Sequence, residues 1–244
     1  MHVLVTRPEP DALKMVGYLH QRGHQATAFP LMSTSYSGLQ TERLDGVTGL
    51  IATSRHALRA LVGTASLEQA RNLTIFAVGK ATAMEARRMG FSRIVKGPGT
   101  AAALSPLIAS LVDPAEEVLL HLAGDRVAYD LAGELGHQGL NVSKAIVYQM
   151  HAAREVPESI RRMIGNRTIE AVMLMSPQTA SIWSRLVTHH GLSEDVREIV
   201  HLCLSQAVAD RLRAGPGAMV EVATTPTLED MLEQVEMAAE KLGS

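Results

Sequence analysis

Residues 118–150 read VLLHLAGDRVAYDLAGELGHQGLNVSKAIVYQM. Short apolar runs open and close this stretch. Between them, Val127, Leu131 and Leu135 have the spacing of one helix face, and Gly136 and Gly139 end the pattern. The stretch therefore predicts a strand, a polar turn, a helix and a second strand, which together form the crossover unit of a parallel sheet.

The two predicted strands of this unit end at Gly124–Arg126 and at Tyr148. In open parallel sheets, ligands meet the loops at the carboxyl ends of the strands. These positions are therefore candidates for a functional site. Tyr148 also fits a simpler interpretation, a half-buried tyrosine of a strand, and the residues alone leave both open.

The rest of the chain repeats this alternation of strand and helix. GLIATSRHALRAL at 49–61 resembles VMLMSPQTASIW at 172–183, and FAVGKATAMEARRMG at 76–90 resembles HLCLSQAVADRLRAG at 201–215. Polar stretches at 33–38 and 151–156 separate the repeats and are predicted to be linkers. The pattern predicts an α/β protein with two similar doubly wound halves.

Composition excludes several classes of protein. The chain has 244 residues, 46% of them hydrophobic and 20% charged, which is ordinary for a folded domain or two. The net charge of −2 gives no general attraction to nucleic acid or to an anionic membrane. No apolar run approaches the ~20 residues of a membrane span, and no signal sequence opens the chain. The single cysteine, Cys203, fits a reducing compartment, so we expect a cytoplasmic protein.

Familiar catalytic motifs are weak or absent in the sequence. Residues 97–102 have the glycine skeleton of a dinucleotide fingerprint, but Pro98 stiffens the turn. The acidic residues ~20 positions further on, Glu116 and Glu117, precede the next predicted strand rather than end it, so an ordinary turn is the favoured interpretation. The adjacent His189 and His190 cannot share a helix face as i, i+4 ligands do, so no metal site is expected. No G-x-S-x-G elbow accompanies any serine.

Five strand-to-helix turns carry small or hydroxyl residues. Each places free backbone N–H groups at the start of a predicted helix, where carboxylates and phosphates bind. A single turn of this kind is merely a helix cap, but several of them beside Arg7, Arg55, Lys80 and Arg126 favour a polyanionic ligand. The candidate ligand-binding residues are Arg7, Thr53, Ser54, Arg55, Gly79, Lys80, Gly124, Asp125, Arg126, Ser176, Pro177, Gln178 and Ser205.

The motifs, taken in order, resemble the uroporphyrinogen-III synthase family. They are VLVTRP at 3–8, IATS at 51–54, VGKATA at 78–83, EARRMGF at 85–91, GPG at 97–99, LAGDR at 122–126, IVYQ at 146–149, MSPQTA at 175–180 and PTLEDML at 226–232. The resemblance runs nearly from end to end, and the order and spacing of the motifs make it specific. The chain departs from the family pattern at 204–206, where a Gly-Pro pair is common, and at Met175.

The resemblance implies two flavodoxin-like doubly wound parallel-sheet domains joined by a two-stranded linker. Domain one would comprise residues 1–33 and 152–244, and domain two residues 38–148. The linkers would lie near 34–37 and 149–151.

The resemblance also implies a reaction. Hydroxymethylbilane, a linear tetrapyrrole with many carboxylates, loses its terminal hydroxyl and closes to uroporphyrinogen III with the last pyrrole ring inverted, through a spiro intermediate. Tyr148 matches the family tyrosine and would be catalytic, and the turns would hold the acetate and propionate arms. No cofactor or metal is implied, no nucleic acid or membrane partner is expected, and a monomer is expected.

Two alternatives remain open. The departure at 204–206 is compatible with a non-catalytic two-lobed ligand-binding or regulatory module of the same fold, since fold alone does not fix function. A nucleotide-dependent transferase rests only on the glycines at 97–102.

Overall fold

A computed structural model describes residues 1–213 and 217–243. The strands are β1 (His2–Val5), β2 (Gln25–Ala28), β3 (Met32–Tyr36), β4 (Gly49–Ala52), β5 (Thr74–Ala77), β6 (Ile94–Lys96), β7 (Val118–Gly124), β8 (Asn141–Ala152), β9 (Ala171–Leu174), β10 (Val200–Cys203) and β11 (Val220–Val222). The helices are α1 (Asp11–Gln21), α2 (Arg55–Arg59), α3 (Ser66–Arg71), α4 (Lys80–Arg88), α5 (Ala101–Leu111), α6 (Leu131–His137), α7 (Glu158–Gly165), α8 (Pro177–His189), α9 (Gln206–Ala209) and α10 (Leu228–Gly243), with a 3-10 helix at Thr41–Leu44.

The chain divides into two compact units, each with its own sheet. Unit 1 comprises Met1–Ser33 and His151–Ser244, and unit 2 comprises Thr34–Met150. The first sheet has the strand order β11-β10-β9-β1-β2, and all its pairs are parallel. The second has the order β3-β8-β7-β4-β5-β6, with β8, β7, β4, β5 and β6 paired in parallel.

The prediction of an α/β protein with two doubly wound parallel sheets is confirmed. Strands β3 and β8 are neighbours in the sheet, and each crosses a boundary between the two units. The chain therefore passes between the units within two neighbouring strands. No helix of the described residues is long and apolar enough to cross a membrane.

The central strands of each sheet are buried because they are almost continuously apolar. All four residues of β4 and all four of β9 are buried, as expected for parallel strands covered by helices on both faces. Helices contribute one apolar face each; in α1 that face is Ala12, Met15 and Leu19. Trp183 of α8 is fully buried and is the largest side chain in the core.

Local details differ from the sequence predictions in three places. The helix of the 118–150 stretch begins at Leu131 rather than near Val127, because Asp130 is its N-cap and accepts the Gly133 N–H at 3.4 Å. The polar stretch predicted as a linker at 33–38 is mostly strand β3. The linker predicted near 149–151 lies within strand β8.

Two buried histidines make stability depend on pH. Burial, together with the charge of Lys144 and against that of Asp130, lowers the pKa of His121 to about 4. Burial also lowers the pKa of His201 to about 4, against opposing backbone hydrogen bonds. Both imidazoles are therefore neutral in the folded protein near neutral pH.

We expect the free energy of unfolding to decrease as the pH falls from 6.5 towards 4. In this range the unfolded chain binds a proton on each imidazole that the folded chain does not, which costs up to about 3 kcal/mol per histidine. The free energy of unfolding should therefore decrease less in His201→Gln than in the wild type between about pH 7.5 and about pH 4.5, because the contribution of His201 is removed. Urea unfolding at the two pH values measures the decrease. The exposed His137 supplies the control, His137→Gln. A decrease in His201→Gln equal to that of the wild type would show that the buried His201 does not make stability depend on pH.

Candidate functional site

Unit 2 brings one set of predicted residues to a single edge of its sheet. Tyr148 lies on β8, Gly124 ends β7, Thr53 follows β4 and Gly79 follows β5. These four strands are neighbours in the order β8-β7-β4-β5 and run parallel. Their carboxyl ends therefore lie side by side, at the edge where parallel sheets bind ligands.

Tyr148 lies directly against Gly124. The two residues are partners across a register shift between β7 and β8, and the Asp125 N–H donates to the Tyr148 carbonyl at 3.1 Å. A Cβ atom at position 124 would lie 2.7 Å from Cζ and 3.0 Å from Oη of the Tyr148 ring. Only glycine leaves room for the ring in this position, which explains the close approach.

Tyr148 belongs to a group of three rings, and two of them were not predicted. The His56 ring centroid lies 5.7 Å from that of Tyr148 and 6.1 Å from that of Tyr36. The Tyr36 hydroxyl and His56 Nδ1 are 2.9 Å apart and hydrogen-bonded. The sequence contains only a weak signal for His56, which is a polar residue in the first turn of a helix that follows a strand. It gave none for Tyr36, because 33–38 looked like a linker.

An ion-pair network supports this ring cluster. Arg59 Nε donates to the buried carboxylate of Glu85 at 3.0 Å, and Arg88 donates to the same carboxylate at 2.8 Å. Burial alone would raise the pKa of Glu85, but the hydrogen bond and charge of Arg59, together with Arg88, lower it. Partial burial raises the pKa of Tyr36, and a charge and hydrogen bond from Arg59 oppose this rise. The network therefore fixes Arg59 beside the ring cluster.

The turn after β4 uses its serine as a helix cap. Ser54 is the N-cap of α2, and its Oγ accepts the His56 N–H at 3.1 Å. Thr53 Oγ1 lies 3.3 Å from Nε2 of the buried His121, and the Arg55 side chain is exposed. Because α2 has only five residues, its dipole is small. Hydroxyl groups and Arg55 are thus the groups of this turn that can contact an anion.

The turn after β5 packs against the glycines at 97–99. Gly79 is the N-cap of α4, and a Cβ atom on it would lie 3.0 Å from Gly99 Cα. The N–H groups of Gly97 and Gly99 donate to carbonyls at the end of β5, each at 2.7 Å. A side chain at Gly97 would meet the Val78 carbonyl at 2.8 Å. These glycines serve backbone packing, in agreement with the turn interpretation, while Lys80 is exposed beside them.

The third turn differs from its prediction. Gly124 is still part of β7, and α6 begins only at Leu131, so Gly124–Arg126 do not form a helix N-terminus. The prediction that this turn places free backbone N–H groups at a helix N-terminus is therefore wrong. Asp125 and Arg126 are exposed in the loop that continues to Asp130.

The remaining predicted residues form a second set, on unit 1. Arg7 follows β1, Ser176 follows β9 and Ser205 follows β10, and these strands are parallel neighbours. Ser176 caps the 13-residue helix α8 in a capping box with Thr179, and Pro177 and Gln178 start that helix. Ser205 is the N-cap of the four-residue helix α9, without a side-chain cap hydrogen bond. Each unit therefore carries one strand-end group of predicted residues.

Three possible metal ligands converge in unit 1. Glu155, His189 and His190 have ligand atoms within 4.8 Å of one another. The adjacent histidines converge because His189 ends α8 and His190 is its C-cap, outside the regular helix. His190 Nε2 already accepts the Val156 N–H at 3.3 Å and lies 3.1 Å from a Glu155 oxygen. These contacts explain the group as a local hydrogen-bonded cluster.

Solved structures share this fold. A uroporphyrinogen-III synthetase from Helicobacter pylori superimposes with a TM-score of 0.62 at 17% identity, covering 97% of this chain and 98% of that one. A mutant uroporphyrinogen III synthase from Thermus thermophilus gives a TM-score of 0.52 at 18% identity, covering 99% of each chain. At these identities the similarity establishes the fold alone.

Sequence comparison identifies the family. A curated uroporphyrinogen-III synthase of Chlorobaculum parvum is 27% identical over 208 residues, which are 80% of this chain and 82% of the relative. The family model described as uroporphyrinogen-III synthase HemD matches residues 14–233, nearly the whole chain. The chain therefore belongs to the uroporphyrinogen-III synthase family.

Proposed function

We propose that this chain cyclises hydroxymethylbilane to uroporphyrinogen III with inversion of the last pyrrole ring, and that Tyr148 acts at the reacting end of the substrate. The family is one of cyclising lyases in tetrapyrrole biosynthesis. The observation that carries the proposal is the position of Tyr148: its half-buried ring lies against Gly124 at the carboxyl edge of the sheet, beside turns suited to carboxylates.

The chemistry requires positioning more than a strong acid or base. The substrate cyclises spontaneously without inversion, so the enzyme must fold it such that the substituted carbon of the last ring attacks first. Holding reacting groups in such a geometry can supply several kcal/mol of the barrier. The carbon–oxygen bond breaks, and the substituted carbon of the last ring bonds to the freed methylene, which gives the spiro intermediate. The older bond from that carbon to its bridge then breaks, and the bridge bonds to the unsubstituted α-carbon of the same ring. The proton lost from this α-carbon balances the proton that leaves with the hydroxyl as water. These steps balance without an oxidant or reductant, so we propose that no cofactor is needed.

Tyr148 is placed to assist departure of the hydroxyl. Its phenol can donate a hydrogen bond to the leaving oxygen or to the reacting ring. The ring contact with His56 and the packing on Gly124 restrict the rotation of the Tyr148 side chain. A donor held in place before the reaction stabilises developing charge better than a mobile one.

The turns of unit 2 are proposed to hold the substrate carboxylates. Ser54 Oγ accepts a backbone N–H as a cap, and its own hydrogen remains a donor for a carboxylate. Exposed Arg55 and Lys80 supply positive charge, and Gly79 begins the nine-residue helix α4, whose first N–H groups attract anions. Arg126, Asp125 and Thr53 complete this set.

The group on unit 1 is proposed to bind further carboxylates. Ser176, Pro177 and Gln178 open a 13-residue helix whose N-terminal N–H groups favour anions. Arg7, partly exposed beside Asp11, and Ser205, with its hydroxyl unused by the helix cap, lie on neighbouring strand ends. We further propose that the chain acts as a monomer. The single buried Cys203, with a pKa raised by burial to about 12, is compatible with the cytoplasm.

The proposed role of Arg55 and Lys80 in holding carboxylates can be tested by the binding of uroporphyrin III, the oxidised product. We expect Arg55→Gln/Lys80→Gln to raise the Kd, measured by fluorescence quenching, by about tenfold or more, because two charge-assisted contacts are lost. The matched control is Arg87→Gln/Arg93→Gln, which removes the same charge from exposed positions of the same unit outside the strand-end turns. Equal Kd values in the two double variants would contradict the assignment.

A further inference from the structure

A groove on unit 1 lies apart from the strand-end residues. It has a volume of about 450 Å³ and is lined by the face of α8 that contains Arg185 and by the segment after α9 that contains Arg211 and Arg213. Serine and threonine residues of α8 and His189 complete the lining, and no acidic side chain lines it. Its volume lies within the range of small-molecule sites.

Hydrogen bonds hold the two sides of the groove together. Ser184, only 6% exposed, accepts the Arg213 backbone N–H at 2.8 Å and donates to the Ala180 carbonyl at 2.9 Å. Arg185 donates to the Ala153 carbonyl at 2.9 Å. These bonds fix the Arg213 segment against α8, so that the arginine side chains share one groove.

The charge of the groove is unbalanced. Within residues 1–213 and 217–243, no carboxylate forms an ion pair with Arg185, Arg211 or Arg213. Guanidinium groups stay charged at any physiological pH. The C-terminal end of α8 contributes about half a negative charge. The Glu155 carboxylate, within 4.8 Å of a His189 ring nitrogen, contributes one more, and together they remain below the three positive charges. The local field therefore favours a bound anion.

We propose that this groove is a binding site for a small polyanion, recognised through phosphate or carboxylate oxygens by the three arginines. Guanidinium N–H pairs match both kinds of oxyanion. The hydroxyls of Ser181 and Thr188 donate to carbonyls of their own helix, so the arginines supply the donors. None of the groove-lining residues belongs to the groups proposed to bind the tetrapyrrole, so the two proposals can be tested separately.

Calorimetric titration of the full chain with inorganic pyrophosphate, at about 0.15 M ionic strength, tests the proposal. We expect saturable binding with a Kd of about 1 mM or tighter. Arg211→Gln/Arg213→Gln should weaken it by about tenfold or more. Both side chains are exposed, so circular dichroism should show an unchanged fold. The matched control, Arg161→Gln/Arg162→Gln on α7, removes the same charge and should stay within about twofold of wild type.

A parallel titration with citrate separates the two sources of oxyanion. Tighter binding of pyrophosphate indicates a phosphate ligand, and tighter binding of citrate indicates a carboxylate ligand. In both cases Arg211→Gln/Arg213→Gln must weaken the binding. Lack of saturable binding by either anion overturns the proposal. Equal weakening in the groove and control variants also overturns it, because binding would then reflect overall charge.

Discussion

Gly124→Ala is expected to lower synthase activity by about a hundredfold. The added Cβ would lie 2.7 Å from Cζ of Tyr148, closer than carbon atoms approach, so the ring must shift. Misplacement of a reacting group by about 1 Å can cost about a hundredfold in rate. The free energy of unfolding should fall by only about 1–3 kcal/mol, as for overpacking elsewhere. Turnover assays and urea unfolding measure the two effects separately.

A second glycine provides the control for this substitution. Gly136 lies in α6, is exposed, and would have nothing within 4 Å of an added Cβ. Gly136→Ala should therefore leave activity unchanged and stabilise the protein by about 0.5–1 kcal/mol. Wild-type turnover in folded Gly124→Ala would show that the Tyr148 ring position is irrelevant to the reaction.

Tyr148→Phe is expected to reduce kcat without abolishing it. The substitution keeps the ring and its packing but removes one hydrogen bond to a developing charge, worth at most about 2–4 kcal/mol. That corresponds to a loss of roughly 30- to 1,000-fold. Positioning by the turns is retained, so residual activity should still yield the inverted isomer. A fluorimetric assay of porphyrin formed under saturating substrate measures the loss.

Tyr18→Phe is the matched control for the tyrosine substitution. Tyr18 is 44% exposed on α1 and belongs to neither group of strand-end residues. We expect wild-type kcat in this variant. Equal turnover in Tyr148→Phe and wild type would remove Tyr148 from the catalytic groups and leave it as a packing residue.

Most strands and helices could be predicted from the sequence because the patterns that indicate them are local. The Ala-rich segment 101–111, for example, forms α5, and the Thr100 hydroxyl accepts the Ala103 N–H as its cap. The helix after Gly124 was misplaced because Val127 continues the apolar spacing by chance. Asp130, a stronger N-cap, determines the actual start. Local periodicity does not reveal which of several possible caps is used.

The candidate site could be predicted from the sequence only in part. Strand-end turns such as Thr53–Arg55 follow from parallel topology, since every strand delivers its next residues to the same edge. The partners of Tyr148 do not follow in this way. Tyr36 lies on β3, the neighbour of β8, and the two segments are more than a hundred residues apart along the chain. Such pairing depends on tertiary structure, which no local pattern encodes.

The most direct test of the central claim is the identity of the porphyrin isomer. Hydroxymethylbilane would be generated in situ, the purified chain added, and the products oxidised and separated into type I and type III isomers. We predict mainly type III with the wild-type chain and mainly type I without it, because the uncatalysed closure does not invert the last ring. Type I alone from protein shown to be folded would contradict the synthase assignment and favour a non-catalytic ligand-binding module.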